Sequence, residues 1–186
     1  MADTQRTEAQ CLALAPLTGE RGRISVQDFR DIVYSLFRGL GGSVAQYGSC
    51  HFSTPAATTL LANTWTKASG TTTIGAASSE WTMPVNNRLL HTDTETEVYR
   101  VIATAAVTVA GAAQIVWMGI SKGGADPASY HQGYVRLSNG SDAQMIVVQD
   151  LISIGNGDYI EIWVKNQTGT GAVTIERGSL TTTKVV

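Results

Sequence analysis

Histidine is the first residue type to consider for metal binding or acid–base chemistry. The chain has three, His51, His91 and His131. No pair of them has the spacing that structural zinc sites require. We therefore expect no metal site, and we predict that all three are ordinary surface or turn histidines.

An acidic row offers a second possible cation site. Asp93, Glu95 and Glu97 alternate with a period of two. In an extended segment this spacing places the three carboxylates on one face, where they could hold a calcium ion between subunits. The alternative is a solvated strand end, and we favour it because such rows are common where strands meet water.

Neither nucleophilic catalysis nor phosphate binding is indicated. No serine lies in a Gly-x-Ser-x-Gly elbow, and the glycines that follow Ser121 and Lys122 lack the order of a phosphate-binding loop. Cys11 and Cys50 form no close pair, so we expect two reduced thiols. The sequence thus predicts a protein that is not an enzyme and has no cofactor.

The charge balance limits the possible partners. Among 186 residues only 15% are charged and the net charge is -2, whereas an average soluble protein has about 25% charged residues. Such a chain has no field to attract nucleic acid or anionic lipid. Because little of its surface is charged, we expect other subunits to cover part of it.

No membrane segment is predicted. The first ten residues are polar, and the longest apolar stretch, Val98 to Ile120, is interrupted by Arg100, Gly111 and Gln114. We expect a soluble chain made in the cytosol.

The first 42 residues divide into two segments. Residues 1–23 carry polar groups, Pro16, Gly19 and Gly22, show no sustained period and are predicted to form an N-terminal arm. Residues 24–42 are predicted to form one amphipathic α-helix, Ser25–Arg38, followed by a glycine-rich hinge. Its apolar stripe recurs at spacings of three and four: Val26, Phe29, Val33, Leu36 and Leu40. The stripe could pack on its own domain, which we favour, or on copies of itself in a short parallel bundle.

Residues 43–186 are predicted to be a β-sandwich. Turn sequences separate threonine-, valine- and tryptophan-rich segments. Three early strands are predicted at Gly48–Ser53, Thr59–Lys67 and Glu80–His91, with the Ala68–Ser79 tract as a connection. Six later strands are predicted more firmly: Val98–Val109, Ala113–Lys122, Gly133–Leu137, Gln144–Ile154, Tyr159–Asn166 and Ala172–Val185.

Alternation within these strands predicts their buried sides. In the first long strand the odd positions from Tyr99 to Val109 form a core face, and Arg100, Thr104 and Thr108 point to water. The segment centred on Trp117 has no polar face, and the outer face that carries Tyr159 and Trp163 is also aromatic. A half-solvated sandwich should not expose such a face, so we expect a neighbouring subunit to cover it.

Several of these segments together resemble a known family. They are the runs Val98–Ala105 and Ile115–Lys122, the turn and strand Gly157–Asn166, and the closing segment around Ala172–Thr183. Residues 81–186 resemble the jelly roll of tumour-necrosis-factor-like proteins and complement globular heads, especially the versions in virion proteins of tailed bacteriophages. The resemblance implies a trimer with apolar side chains around a three-fold axis.

The N-terminal region carries a separate resemblance. The run Gly22–Val33 is similar to the strand entry and helix near the start of many phage head-decoration and tail-fibre proteins. It departs from that pattern after the helix, where Arg38-Gly-Leu-Gly-Gly replaces the usual polar residues.

The predicted fold is therefore mostly β, an antiparallel jelly-roll sandwich after a short arm and one helix, firmest over 81–186. The leading functional hypothesis is a phage virion protein, a homotrimer that decorates or cements the capsid. Its trimer interface is predicted at Trp117, Tyr159, Trp163, Val33 and Leu36. Its arm is predicted to touch the major capsid protein or another virion protein through Leu12, Leu14, Leu17, Arg21 and Arg23.

Other functions remain open. The main alternative is the receptor-binding tip of a tail or head fibre, which would read host glycans or a surface protein through loops such as Gly123–Gln132. A cytokine-like extracellular ligand is less favoured, because it needs a secretion route, and an enzyme is the least favoured.

Overall fold

The computed structural model describes residues 46–129, 131–139 and 142–185. These residues fall in one compact unit, 45–185. The predicted arm and the predicted helix Ser25–Arg38 lie outside the described residues, and the described residues contain no helix.

The described residues form twelve β-strands in chain order. They are β1 Tyr47–Pro55, β2 Ala57–Thr58, β3 Thr66–Lys67, β4 Gly70–Ile74, β5 Trp81–Thr82, β6 Leu89–His91, β7 Glu97–Val109, β8 Gln114–Lys122, β9 Gln132–Leu137, β10 Gln144–Ile154, β11 Tyr159–Asn166 and β12 Val173–Lys184.

The strands are arranged in two antiparallel sheets. The first sheet has the order β10-β7-β12-β1-β4, and β2 also pairs with β12. The second has the order β5-β6-β11-β8-β9, and β3 also pairs with β11. Strands distant in sequence are neighbours in both sheets, which is the crossing connectivity of a jelly roll. The prediction of a mostly-β antiparallel sandwich is confirmed.

The core lies between the two sheets and follows the alternation of the long strands. In β7 the odd positions from Tyr99 to Val109 are at most 3% exposed, so the predicted core face is confirmed. Facing them from the second sheet are the fully buried side chains of Val116, Met118 and Ile120 on β8 and of Ile160, Ile162 and Val164 on β11. Burying side chains of this size stabilises the fold by about 1.5–3 kcal/mol each.

The later predicted strands agree with the structure within a residue at each end, but the early ones need correction. Of the predicted strand Thr59–Lys67, only Thr66 and Lys67 are in a strand. The chain turns at Asn63, which has a φ of 53° and donates its backbone N–H to Asn166 O. A local conformation that suits asparagine therefore overrides the β-propensity of the threonines.

Two more early segments differ from the prediction. The predicted strand Glu80–His91 is two short strands, β5 and β6, which pair with each other through Trp81 and His91. The predicted connection Ala68–Ser79 contains β4, which pairs with β1. Its Ser/Gly/Thr composition is typical of a loop, but Thr72 points inward and is 4% exposed. Its hydroxyl is satisfied by the backbone N–H of Asn87 at 2.7 Å.

Candidate subunit interface

The outward face of β10 exposes three large aliphatic side chains. Met145 is 62% exposed, Val147 59% and Leu151 57%. They alternate with the buried Ile146, Val148 and Ile152 of the same strand. β10 therefore has aliphatic side chains on both faces, although only one of them faces the core. An exposed strip of this kind marks an interaction surface.

The neighbouring strands extend this surface mainly with small side chains. On β7, Thr104 lies opposite Val147 and Ala106 opposite Met145. Thr104 in turn shares a hydroxyl hydrogen bond of 2.9 Å with Ser179 on β12. We call this outward face of β10, β7 and β12 the aliphatic face. It also carries Ile102, Val98 and two exposed cations, Arg100 on β7 and Arg177 on β12.

The outward face of the second sheet has a different chemistry. Trp117 on β8 packs against Tyr134 on β9 with ring centroids 4.8 Å apart. Its indole N–H donates to Gln167 Oε1 at 2.7 Å. The ammonium of Lys165 lies 5.2 Å from the Trp117 ring and 4.7 Å from the Trp65 ring. The cation between two indoles gives this face a polar, aromatic character.

A buried carboxylate organises the other half of this face. Glu161 on β11 is 1% exposed and pairs with Lys67 on β3 and with Arg88, each at 2.7 Å. Its second oxygen accepts the Trp163 indole N–H at 3.0 Å. Burial opposes ionisation of Glu161, but the hydrogen bonds from Lys67, Trp163 and Arg88 outweigh it, so its pKa is lowered.

Arg88 joins this cluster to a further aromatic ring. Its guanidinium carbon lies 3.8 Å from the centroid of the Tyr159 ring. The edge of the Arg88 guanidinium thus binds a carboxylate, and its flat face packs on an aromatic ring. A planar guanidinium can make both contacts at once.

The three aromatic residues predicted at the trimer interface all lie on this second-sheet face. Trp117, Tyr159 and Trp163 are partly buried, and each has a polar or charged partner within the chain. The chain itself therefore covers part of the apolar surface for which the sequence suggested a sister subunit. Their role in a trimer stays a prediction. Val33, Leu36 and the arm residues lie outside the described residues.

Sequence reasoning missed the aliphatic face, although the signal was present. In Gln144–Ile154 three of the five outward positions, Met145, Val147 and Leu151, are aliphatic. The odd-numbered positions of this strand, taken separately from the even-numbered ones, indicate an outward face with aliphatic side chains.

The histidines occupy three different environments. His51 is exposed, and His131 Nε2 lies 3.3 Å from Asp150 Oδ2. His91 is 0% exposed, so the prediction that it is a surface or turn histidine is wrong. It ends β6 and packs between Trp81 and Tyr99, with ring centroids 5.0 and 5.2 Å away. Buried aromatic neighbours and hydrogen bonds to its ring nitrogens allow it there.

The acidic row does not form one extended edge. Only Glu97 lies in a strand, and it pairs with Lys184 at 2.7 Å. Asp93 accepts a hydrogen bond from the Gln46 amide, and Glu95 is exposed. Within the described residues no group of three or more His, Cys, Asp or Glu side chains is arranged to hold a metal ion.

An open cleft of about 570 Å³ beside β1 and β12 contains a serine, a histidine and a glutamate, but not in a catalytic arrangement. Ser53 donates its hydroxyl hydrogen bond to Thr71 O at 3.2 Å. Glu176 accepts one from Thr108 at 2.7 Å. The Ser53 hydroxyl and the Glu176 carboxylate are thus hydrogen-bonded to other groups. This cleft does not show the nucleophile–base contact that covalent catalysis requires.

No helix among the described residues is long and apolar enough to cross a lipid bilayer.

Comparison with known proteins identifies the fold. Neither a protein-family model nor a curated protein matches the sequence. Among solved structures, murine APRIL is similar with a TM-score of 0.53 and 9% identity over 75% of this chain and 100% of that chain. Eiger TNF from S. frugiperda has a TM-score of 0.51 and 11% identity over 76% and 94% of the two chains.

A virion protein has the same fold. The PRD1 vertex protein P5 is similar with a TM-score of 0.51 and 14% identity, over 78% of this chain and 100% of that chain. At these identities the similarity concerns the fold alone. The described residues form a jelly roll of the tumour-necrosis-factor type.

Proposed function

We propose that this chain is a structural virion protein that assembles as a homotrimer and decorates or cements a phage capsid. The observation that carries the proposal is the aliphatic face. Met145, Val147 and Leu151 are each more than half exposed on the outward side of β10. A sister chain that covers them removes about 25 cal/mol of unfavourable hydration per Å² of apolar area, before the cost of association is subtracted.

This proposal moves the main subunit contact from the second sheet to the first. On the second sheet Trp117 and Trp163 already have their indole N–H groups bonded within the chain. On the first sheet the aliphatic side chains of β10 have no hydrogen-bonding groups, so only contact with other apolar groups removes them from water. Trp117, Tyr159 and Trp163 then lie away from the trimer centre.

A structural similarity, a sequence resemblance and the mechanical role of a subunit interface support the virion role. The PRD1 vertex protein shares the fold, and the sequence resembles phage virion proteins at both ends. In this role the domain acts mechanically, because buried interface area ties neighbouring subunits together. The arm, residues 1–23, would contact the major capsid protein.

A specific observation favours the second candidate function, a receptor-binding fibre tip. Tyr134, Trp117, Lys165 and Trp65 form an aromatic and cationic row across the second sheet. Tyr and Trp are enriched where proteins recognise partners, because they combine large contact area with a polar group. In a trimer closed through the aliphatic face this row would remain accessible to a receptor.

Electron microscopy of particles that lack the protein distinguishes the two functions. The decoration role predicts complete particles whose heads lack surface density and break at lower osmotic shock than wild-type heads. Heads of unchanged appearance and strength, with shortened fibres and lost adsorption to cells, would contradict decoration and support the fibre tip.

A further inference from the structure

The outward face of the second sheet carries two adjacent rows of side chains that run across its strands. In the first row Tyr134 on β9 lies opposite Trp117 on β8, and Trp117 lies opposite Lys165 on β11. Trp65 continues this row, because the Lys165 ammonium lies 4.7 Å from its ring. We call these four side chains the aromatic row. Since neighbouring strands are about 4.8 Å apart, the row offers an elongated surface and not a single point of contact.

The second row lies beside the first and has a hydrogen-bond donor at each end. Arg136 follows Tyr134 by two residues on β9 and lies opposite Ile115 on β8. Residues two positions apart in a strand point to the same face, so Arg136 shares the face of Tyr134. The backbone N–H of Gln167 donates to Ile115 O at 2.9 Å, which places Gln167 on the other side of Ile115. We call Arg136, Ile115 and Gln167 the donor row.

Three groups in these rows have donors that are not used within the chain. Among the described residues, neither the ammonium of Lys165 nor the guanidinium of Arg136 has a hydrogen-bond acceptor or a carboxylate partner. The side-chain amide of Gln167 turns its oxygen to Trp117, as it must, since an indole nitrogen only donates. The NH2 group of that amide is then available to another acceptor. The surface therefore favours a ligand that is rich in acceptors.

The exposed charge on these strands is positive. β8, β9 and β11 together carry one carboxylate, that of Glu161. It is buried and is already paired with Lys67 and Arg88. No carboxylate of the three strands thus competes for Arg136 and Lys165, so charge complementarity selects an anionic ligand.

A loop borders the aromatic row on the side away from Arg136. Gly119 follows Trp117 by two residues on β8, and a Cβ added at Gly119 would lie 2.5 Å from Pro127 Cβ. The loop between β8 and β9 therefore packs directly on the outward face of the sheet at this point. Asp126, which precedes Pro127, is exposed and puts negative charge on that side. We expect the anionic group of a ligand on the side of Arg136 and an uncharged part near the loop.

We propose that the two rows bind an acidic oligosaccharide, a chain of sugar rings that bears a carboxylate. Tyr134 is 60% exposed, and one face of its ring packs on Trp117. The other face is open to the C–H groups of a sugar ring, while the hydroxyl can bond a sugar hydroxyl. The carboxylate binds the guanidinium of Arg136, whose geometry it matches, and the ammonium of Lys165. Gln167 donates to a further sugar oxygen.

The geometry of the rows favours a saccharide over a peptide or a nucleic acid. A peptide that adds a strand to a sheet runs parallel to its strands, whereas both rows run across them. Single-stranded nucleic acid needs open ring faces for successive bases and a positive groove that follows the phosphates. Here Tyr134 and Lys165 come from the strands on either side of Trp117 and pack on it, and the net charge of the chain is -2.

Isothermal titration calorimetry of the purified full chain tests the ligand class. The probes are two matched pairs: sialyllactose with lactose, and a hyaluronan tetrasaccharide with chitotetraose. We expect at least one acidic probe to bind about tenfold tighter than its neutral partner, and its affinity to fall as salt is added. Absence of binding by both acidic probes, or equal affinities within both pairs, would overturn the proposal. Tighter binding of oligothymidine or of a glutamate-rich peptide would do the same.

Four variants locate the site. Arg136→Gln and Lys165→Met each remove one cation and should weaken binding of the acidic probe about tenfold, with little effect on its neutral partner. Tyr134→Ala should weaken binding of both. Lys122→Gln, the control, removes the same charge from the far end of β8 and should change neither. If it weakens the acidic probe as much as Arg136→Gln does, binding follows net charge and the assigned site is wrong.

Circular dichroism verifies the fold of each variant. If Lys165→Met does not fold, Arg136→Gln decides, because that side chain is exposed and has no partner among the described residues. The proposal gives a ligand class to the row that a fibre tip would use, but binding is measured in solution without virions. Its failure is therefore a separate result from failure of the capsid role, which the microscopy of particles tests.

Discussion

Glu161 shows how a single side chain can stabilise the second sheet. Its carboxylate is almost fully buried, whereas the side chains of Lys67 and Arg88 that pair with it are about 30% exposed. It connects β11 to β3 and to the segment that precedes β6. Because two cations and an indole depend on one carboxylate, its loss leaves several donors without their acceptor.

Glu161→Gln is expected to lower the free energy of unfolding at neutral pH by about 1–3 kcal/mol, a value reduced from that of a fully buried pair because the cations are partly solvated. The pKa of Glu161 is lowered in the folded state. Its contribution is therefore complete above the unfolded pKa of about 4.3 and is lost as the pH falls through the folded value.

Urea unfolding of wild type and Glu161→Gln at neutral pH and at about pH 3 measures this. The difference between the two should shrink in acid. Glu95→Gln, at an exposed carboxylate, is the matched control and should change little at either pH. Equal losses for both variants at neutral pH would show that the buried cluster has no special role.

Cys50 should be chemically inert in the folded protein. It is 1% exposed, and burial raises the pKa of its thiol to about 12. Since the thiolate is the reactive form, we expect no alkylation by iodoacetamide near neutral pH until denaturant is added. A Cys11→Ser background leaves Cys50 as the only thiol for mass spectrometry. Alkylation of the native chain at the rate of free glutathione would contradict its buried position.

Residue environments were the hardest part to predict from the sequence. The spacing of the histidines could not show that His91 is buried. The contacts of His91 come from Gly155 and Tyr99, which are brought to it by sheet pairing and not by local sequence. Likewise, the cations that allow Glu161 to be buried come from distant segments.

At the scale of the elements, the turn between β11 and β12 offers a sharp test of close packing. A Cβ added at Gly171 would lie well inside contact distance of the backbone carbonyl of Ala110, which cannot move aside. At Gly169, two residues earlier, the nearest atom would be Gln114 Oε1 at 3.4 Å, at the end of a flexible side chain.

We therefore expect Gly171→Ala to destabilise the domain by about 1–3 kcal/mol, because the β7–β8 connection at Ala110 must shift. Gly169→Ala should be tolerated, with less than half of that effect. Thermal unfolding followed by circular dichroism compares the two. Equal melting temperatures for both variants would contradict the close approach of the two connections.

The long strands were predictable because their pattern and their pairing agree. From Val98 onwards, alternation and turn residues set strand ends that differ from the structure by one residue or less at each end. The short strands β2, β3 and β5 were not predictable, because two residues contain no period. They become strands only where a longer partner such as β12 or β11 provides the hydrogen bonds.

At the scale of the whole molecule, the fold and the two outward faces suggest a division of roles. The jelly roll was predicted from the sequence, and the comparisons confirm its tumour-necrosis-factor type. The first sheet presents aliphatic side chains and the second presents aromatic and cationic ones. In the proposed trimer, the first would be the surface that joins subunits and the second the surface that faces outward.

The low fraction of charged residues predicted that other subunits cover part of the surface. Composition alone does not identify which face they would cover. The sequence argument chose the second sheet because the segment centred on Trp117 has no polar face and the outer face with Tyr159 and Trp163 is aromatic. In the structure, Gln167 and Glu161 accept hydrogen bonds from two of those indoles, and three aliphatic side chains are exposed on β10 of the first sheet. A side chain's need for a partner depends on its neighbours and not on its type alone.

Analytical ultracentrifugation of the full chain and two lysine variants tests the central claim most directly. Val147 on the first sheet and Tyr134 on the second are almost equally exposed, at 59% and 60%. We predict that the wild type and Tyr134→Lys sediment as trimers at micromolar concentration, whereas Val147→Lys sediments as a folded monomer, with its fold checked by circular dichroism. A monomeric wild type, or a trimer that survives Val147→Lys and is lost in Tyr134→Lys, would contradict the assignment of the aliphatic face as the subunit interface.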